Sequence, residues 1–290
     1  MQTSTPRNSI PAKFKAAAVQ MNSTPDLATN LKQAAELIER AAGAGAELIG
    51  LPEFYAFMGP EADLRRQAAE IAQAGAELLA DQAKKHNVTL LGGTIRLPPA
   101  VANDDAQLTD GDRIYNCARV FAPDGSEVAR YDKIHLFDVD IPDGVRYRES
   151  DYIAAGEAKP TAYASAAHGV IGLTICYDLR FPELYRALTD ELHSDIIFAP
   201  AAFTAFTGAA HWELLIRTRA VENTCYIVAP AQTGVHYGKR ESYGHALIVD
   251  PWGDVIADAG SAVGFAIAEI DPARLSEVRT RLPALRHRRL

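Results

Sequence analysis

Apolar positions along this chain gather into short continuous runs separated by stretches of helical spacing. The runs at 13–21 (KFKAAAVQM), 47–55 (ELIGLPEFY) and 88–95 (VTLLGGTI) predict buried strands. Between the first two, Leu27, Leu31, Ala34, Leu37, Ile38 and Ala41 recur at helical intervals. Thr24 and Pro25 supply an N-cap and a first-turn proline, and Gly43 and Gly45 end the pattern. A second helix from about Asp63 to Lys85 presents Leu64, Ala68, Ile71, Leu78 and Leu79 as its buried stripe. The alternation then returns: a strand from Val170 to Ile175, a helix opened by Pro182, a strand at 195–200, a helix at 211–223, and strands at 225–230, 244–250 and 264–270. Strands alternating with helices predict an α/β chain.

The two halves look alike. Tyr115-Asn116-Cys117-Ala118 followed by Pro123-Asp124-Gly125 has the internal spacing of Tyr243-Gly244-His245-Ala246 followed by Pro251-Trp252-Gly253, 128 residues on. AELIGLPEFY (46–55) matches SDIIFAPAAF (194–203) at its acidic, aliphatic, proline and aromatic positions. Two matches in the same order predict a duplicated unit: two similar sheets packed face to face with helices outside, in one domain spanning 1–290.

Composition narrows the class. At 290 residues, 48% hydrophobic and 23% charged, the chain suits a soluble globular enzyme, and a net charge of −8 gives a nucleic-acid partner no electrostatic support. The polar stretch 1–12 is expected to be a flexible tail, and no apolar run is long enough to span a bilayer, so a cytoplasmic protein without a membrane partner is expected. Cys117, Cys176 and Cys225 are far apart and odd in number, which argues against a disulfide framework and a structural zinc site. The histidines have no metal-ligand spacing and Gly92-Gly93 forms no phosphate loop, so neither metal nor cofactor is expected.

Candidate chemistry centres on 168–186 (HGVIGLTICYDLRFPELYR). Cys176 sits where strand gives way to helix. Unsatisfied backbone N–H groups there favour thiolate and offer donors to an anion, although a buried core cysteine fits the same pattern. Glu53 stands just past the carboxyl end of its strand, the edge at which ligands bind in α/β sheets. Residues 127–133 read as extended, and 138–157, rich in Asp, Pro and Gly, as a long functional loop.

Three stretches together, PEFY with Glu53, RYDKIHLFD with Lys133 and ICYDLRFPE with Cys176, resemble the nitrilase superfamily of carbon–nitrogen hydrolases from Lys13 to about Arg289. KIHLFDVDIP, CYDLRFPELYR, TGAAHWELLIRTRAVENTCY, YGHALIVDPWG and LPALRHRR resemble its Nit amidase branch; Phe54 departs from the Asn that relatives often carry there. The resemblance implies a four-layer α-β-β-α sandwich and a Glu53–Lys133–Cys176 triad hydrolysing a small carboxylated amide through a thioester. Glu53 would be a general base with a carboxyl raised by burial, and Lys133 and the Tyr177 N–H would be oxyanion donors. Glu149 matches a further glutamate beside the triad. The second half resembles the deaminated-glutathione amidases more than the ω-amidases that act on α-ketoglutaramate and α-ketosuccinamate, and His236, Lys239 and Arg240 are its candidate contacts to a substrate carboxylate. A nitrilase and a catalytically silent interaction protein are the remaining alternatives. A homodimer or larger homo-oligomer is implied, with helix 211–223, through Trp212, Leu215 and Ile216, and the tail 278–290 as contact elements.

Overall fold

A computed structural model describes residues 10–98, 112–140 and 146–289; most of the expected tail at 1–12 lies outside them. The first half runs β1 (Phe14–Met21), α1 (Leu27–Gly43), β2 (Ala46–Leu51), α2 (Glu61–Arg66), α3 (Ala68–His86), β3 (Thr89–Arg96), β4 (Tyr115–Phe121) and β5 (Glu127–Asp132). The strands β6 (Asp138–Asp140) and β7 (Arg146–Arg148) pair with each other in the connection. The second half runs β8 (Thr161–Ser165), β9 (Gly169–Leu173), α4 (Pro182–Asp190), β10 (Ile196–Phe198), α5 (Ala205–Asn223), β11 (Tyr226–Ala229), β12 (Ala231–Tyr237), β13 (Arg240–Tyr243), β14 (Leu247–Val249), β15 (Val255–Asp258), β16 (Gly264–Ile270) and α6 (Pro272–Arg281).

One sheet has the order β13-β12-β1-β2-β3-β4-β5, with β16 also on β1; the other has β15-β14-β11-β10-β9-β8. The duplication is plain in the pairing. Parallel β1, β2 and β3 pass to antiparallel β4 and β5, and parallel β9, β10 and β11 pass to antiparallel β14 and β15. The matching Pro-x-Gly turns join the outermost hairpin of each sheet.

Strand alternation builds the layers. Ala16 and Ala18 of β1, Leu48 of β2 and Leu91 of β3 join a core with Leu173 and Phe198 of the facing sheet, which continues to Leu184 of α4 and Trp212 and Ile216 of α5. Ala17, Val19 and Ile49 point the other way, into a core with Leu37 and Ile38 of α1 and Ile71 and Leu79 of α3. Period-two strands thus serve both cores, giving the four α-β-β-α layers. Glycine permits the closest inter-sheet approach: a Cβ on Gly50 would stand 2.4 Å from the Phe198 ring. No helix among the described residues is long and apolar enough to cross a membrane.

Several local expectations are corrected. The cap of α1 is Asp26, whose carboxylate accepts from the Thr29 N–H at 2.8 Å, because Thr24 is taken by Asn30. The single helix 63–85 is two, broken at Gln67. The helix expected at 211–223 starts at Ala205, capped by Thr204, and buries Trp212 and Ile216 in the core, so neither is a surface contact. Residues 278–281 belong to α6 and are tied to their own chain, where Arg279 pairs with buried Asp195 at 2.7 Å.

Candidate active site

Because β4 is antiparallel to both neighbours, β5 runs parallel to β2, and the carboxyl ends of the two strands lie on one edge of the first sheet. Glu53 follows β2, Lys133 follows β5, and the start of β4, with Asn116, is on the same edge. The facing sheet contributes Cys176, just past β9, and the loop after β10 contributes Ala202. A short 3-10 turn, Glu149–Asp151, follows β7 and brings in Glu149.

Cys176 has φ 47 and Phe54, beside Glu53, has φ 56, so each of the two facing strands ends near the site in a left-handed residue. Such conformations cost a bulky residue about 1–3 kcal/mol and persist where the surroundings enforce them. Here the Cys176 N–H donates to the Pro200 carbonyl at 2.9 Å and the Ile175 N–H to Asp178 at 2.8 Å. Asp178, fully buried, also accepts from the Tyr131 hydroxyl at 2.8 Å and from the His135 N–H at 3.2 Å, while its Oδ1 lies 2.7 Å from His135 Nδ1. The turn carrying Cys176 is thereby fastened to both sides of Lys133.

The charged groups form one closed network. Lys133, 2% exposed, donates to Glu53 Oε1 at 3.0 Å and to both Glu149 oxygens at 3.0 and 2.8 Å. Glu53 Oε2 accepts from the Ala202 N–H at 2.8 Å, and Glu149 Oε2 from the Phe137 N–H at 2.7 Å. Asn116 Nδ2 donates to Glu53 at 2.8 Å and to Glu149 at 3.1 Å. The Cys176 thiol lies beside Glu53 and the Ala202 N–H.

The electrostatics correct two expectations. Burial pushes the Glu53 carboxyl up, but the Lys133 charge and the hydrogen bonds from Lys133 and Asn116 outweigh it, so the carboxyl is held below its ordinary value rather than raised. Burial opposes the Lys133 charge, yet Glu149 and Glu53 hold the ammonium well above the usual lysine range. Burial and the Glu53 charge push the Cys176 thiol well up, and Lys133 offsets only part. At rest Glu53 is a carboxylate, Lys133 an ammonium and Cys176 a neutral thiol. Thiolate is not favoured at the start of the turn that carries Cys176, because burial and the Glu53 charge outweigh the Lys133 ammonium.

A cavity of about 590 Å³ opens over Cys176, with Phe54, Tyr147, Tyr152, Phe203, Thr204, Tyr237 and Arg240 among its lining. Of the three candidate contacts only Arg240 reaches it. Its guanidinium lies 5.4 Å from the Tyr147 ring centre and enters no ion pair among the described residues. His236 is sealed away: Nδ1 lies 2.8 Å from the Ser23 carbonyl and Nε2 2.9 Å from the Ser242 hydroxyl, and burial pushes the ring down to about 4, so it brings no cation. Lys239 is exposed at the hairpin turn, away from the lining. Tyr177 lines the cavity. Sequence reasoning missed Asn116 and the Ala202 N–H. The first left a weak signal as a polar residue beside Cys117 and Ala118 at the start of a strand run; the second, a backbone group, left none.

The carbon–nitrogen hydrolase family model matches residues 15–280. A deaminated glutathione amidase from Synechocystis is 50% identical over 275 residues, covering 95% of this chain and 98% of its own. The Bos taurus protein of that name is 42% identical, covering 94% and 81%. The crystal structure of Saccharomyces cerevisiae Nit3, of branch 10 of the nitrilase superfamily, superposes with a TM-score of 0.83 at 31% identity, covering 97% of this chain and 98% of that one.

Proposed function

Because the chain belongs to the carbon–nitrogen hydrolase family, we propose that it is a cysteine-dependent amidase cleaving deaminated glutathione to α-ketoglutarate and cysteinylglycine. The observation that carries this reading is the cavity. Its volume of about 590 Å³ leaves room for a peptide leaving group, and Arg240 offers a guanidinium to a substrate carboxylate away from Cys176. The names of the relatives at 50% and 42% identity point the same way.

In this mechanism Glu53 accepts the Sγ proton as sulfur attacks the amide carbon. The proton moves with the attack, since the free site keeps the thiol neutral and the carboxylate charged. Lys133 Nζ and the Tyr177 N–H take the oxyanion, each such donor contributing about 3 kcal/mol in the transition state. Glu53 passes its proton to the leaving nitrogen, the C–N bond breaks and cysteinylglycine departs, leaving an α-ketoglutaryl thioester on Cys176. Water, giving its proton to Glu53, attacks the thioester carbon; the S–C bond breaks and sulfur recovers that proton. Glu149 anchors Lys133 without touching the scissile bond.

We read the chain as cytoplasmic and homo-oligomeric. Cys117 and Cys225 are buried free thiols, which suits a reducing compartment. On the outer face of α5, Leu214 and Val221 are 63% and 43% exposed, and the turn carrying exposed Trp252 packs beside them, an apolar surface that a second copy can cover. Light scattering should give an oligomer for the unaltered chain and a smaller species for Leu214→Asp.

The test of substrate is kcat/KM for deaminated glutathione against α-ketoglutaramate. The first should exceed the second and Arg240→Ala should narrow the gap; equal or reversed preference in the unaltered enzyme moves the chain to the ω-amidases.

A further inference from the structure

Asn116 ties three charged groups together. Its side chain is fully buried at the start of β4, and the two N–H bonds of one amide nitrogen divide between Glu53 Oε1 at 2.8 Å and Glu149 Oε1 at 3.1 Å. Its backbone carbonyl accepts the Lys133 N–H at 2.8 Å, fixing the segment whose ammonium lies between the same two carboxylates. The orientation of the amide is dictated by its neighbours: turned over, it would point Oδ1 at two carboxylates. The arrangement leaves Oδ1 buried without a hydrogen-bond partner among the described residues. A residue placed only to fill the core would satisfy that acceptor or lack it. Here one acceptor is left unmet while two charge-assisted donations are made to the site.

We propose that Asn116 is a positioning residue for amide hydrolysis, a bridge that keeps Glu53 ionised and aimed between Lys133, Cys176 and the Ala202 N–H. This rests on the reading of the site as that of a cysteine-dependent amidase in which Glu53 is the general base to Cys176. The titratable groups facing Glu53 are Lys133 after β5, Glu149 after β7 and Cys176 after β9; the loop after β10 offers only a backbone N–H. Glu61, Asp151 and Arg240 also line the cavity. Of the groups that touch Glu53 Oε1, Asn116 is the neutral one, so deleting it removes a donor while Lys133 keeps its charge. Donation to a carboxylate favours the ionised form, so its loss raises the pH at which Glu53 takes up a proton.

The experiment compares the full-length enzyme with Asn116→Ala and Asn116→Asp by kcat/KM against pH, from the carboxylate range to about pH 8, with Cys176→Ala as the reference for the underlying reading. Thermal unfolding is followed in parallel. In Asn116→Ala the acid limb should move up by about one pH unit, with the loss of activity shrinking as pH rises. Asn116→Asp keeps the shape but faces two carboxylates. The introduced carboxyl holds its proton at low pH and surrenders it as pH rises, so this variant should lose activity on the alkaline side, where the unaltered enzyme is flat. Opposite pH dependences from two substitutions at one position are not produced by loosened packing, which scales the whole profile down. An acid limb unmoved in Asn116→Ala, or a pH-independent loss in Asn116→Asp if the alanine variant does not fold, overturns the proposal. Retained turnover in Cys176→Ala instead overturns the reading on which it rests.

Discussion

β3 passes so close behind Glu53 that a methyl group on Gly93 would stand 2.6 Å from the Glu53 Cα, 3.0 Å from its nitrogen and 3.1 Å from the Pro52 carbonyl oxygen. All three are backbone atoms, held by the parallel register of β2 on β3 and by the Tyr55 N–H donating to the Gly93 carbonyl at 3.3 Å. Restoring an ordinary contact of 3.4 Å requires a displacement of about 0.8 Å, and the segment nearest to the methyl is the one that carries Glu53. Overpacking of this kind costs about 1–3 kcal/mol. At roughly 2–4 °C per kcal/mol, Gly93→Ala should melt several degrees lower while still folding. Its larger effect should be catalytic, since misplacing a reacting group by about 1 Å costs on the order of 100-fold. The assay is kcat/KM together with calorimetric Tm. Gly43→Ala is the control: at the end of α1 its methyl meets nothing within 4 Å, so activity should be unchanged and stability neutral to about 1 kcal/mol higher. A Gly93→Ala enzyme with unaltered kcat/KM would refute the claim that the close approach of β3 sets the position of Glu53.

The resting charge state has its own signature. Iodoacetamide should label Cys176 slowly near neutral pH and faster in Glu53→Gln, because removing the carboxylate charge lowers the thiol toward its ordinary value even as turnover is lost; equal labelling rates would contradict the coupling. Since Glu53 is held below its ordinary value, kcat/KM of the unaltered enzyme should stay flat on lowering the pH until below about 4.3, and an acid limb near neutrality would contradict that assignment. Lys133→Met should lower kcat more than it raises KM; the reverse pattern would make Lys133 a substrate anchor. Asp178→Ala, which abandons three contacts from the Cys176 turn to the Tyr131–His135 segment and one within the turn, should cost about 3 kcal/mol or more in stability, read by denaturant unfolding; an unchanged midpoint would deny the clamp.

Much of the architecture was legible in the sequence because its signals are periodic. Alternating apolar runs and helical stripes located β1 to β3, β9 to β11, β14, β16 and the helices beside them, though not β8, β12 or β13, and the matched Pro-x-Gly turns anticipated that β4–β5 and β14–β15 occupy equivalent edges. The site was legible where a residue stands at a strand end inside a motif, as Glu53, Lys133 and Cys176 do. What was not legible depends on contacts between distant segments. The lowered Glu53 carboxyl follows from Lys133, 80 residues further on, and the raised Cys176 thiol follows from burial beside Glu53, 123 residues back, with Lys133 offsetting only part. His236 reads as a candidate cation beside Lys239 and Arg240, yet β12 turns it inward to Ser23 while Arg240 faces the cavity. Phe54 takes a left-handed conformation that suits Asn better than a bulky side chain, so the backbone explains the Asn of the resemblance and not the Phe that stands here.

The central claim is that sulfur of Cys176 carries the acyl group of a cleaved amide. Rapid-quench mass spectrometry of the enzyme turning over deaminated glutathione tests it most directly. An α-ketoglutaryl adduct on the peptide containing Cys176, formed as cysteinylglycine is released and absent from Cys176→Ala, is the expected result. Release of cysteinylglycine with no adduct at any quench time, or its release by Cys176→Ala, would contradict it.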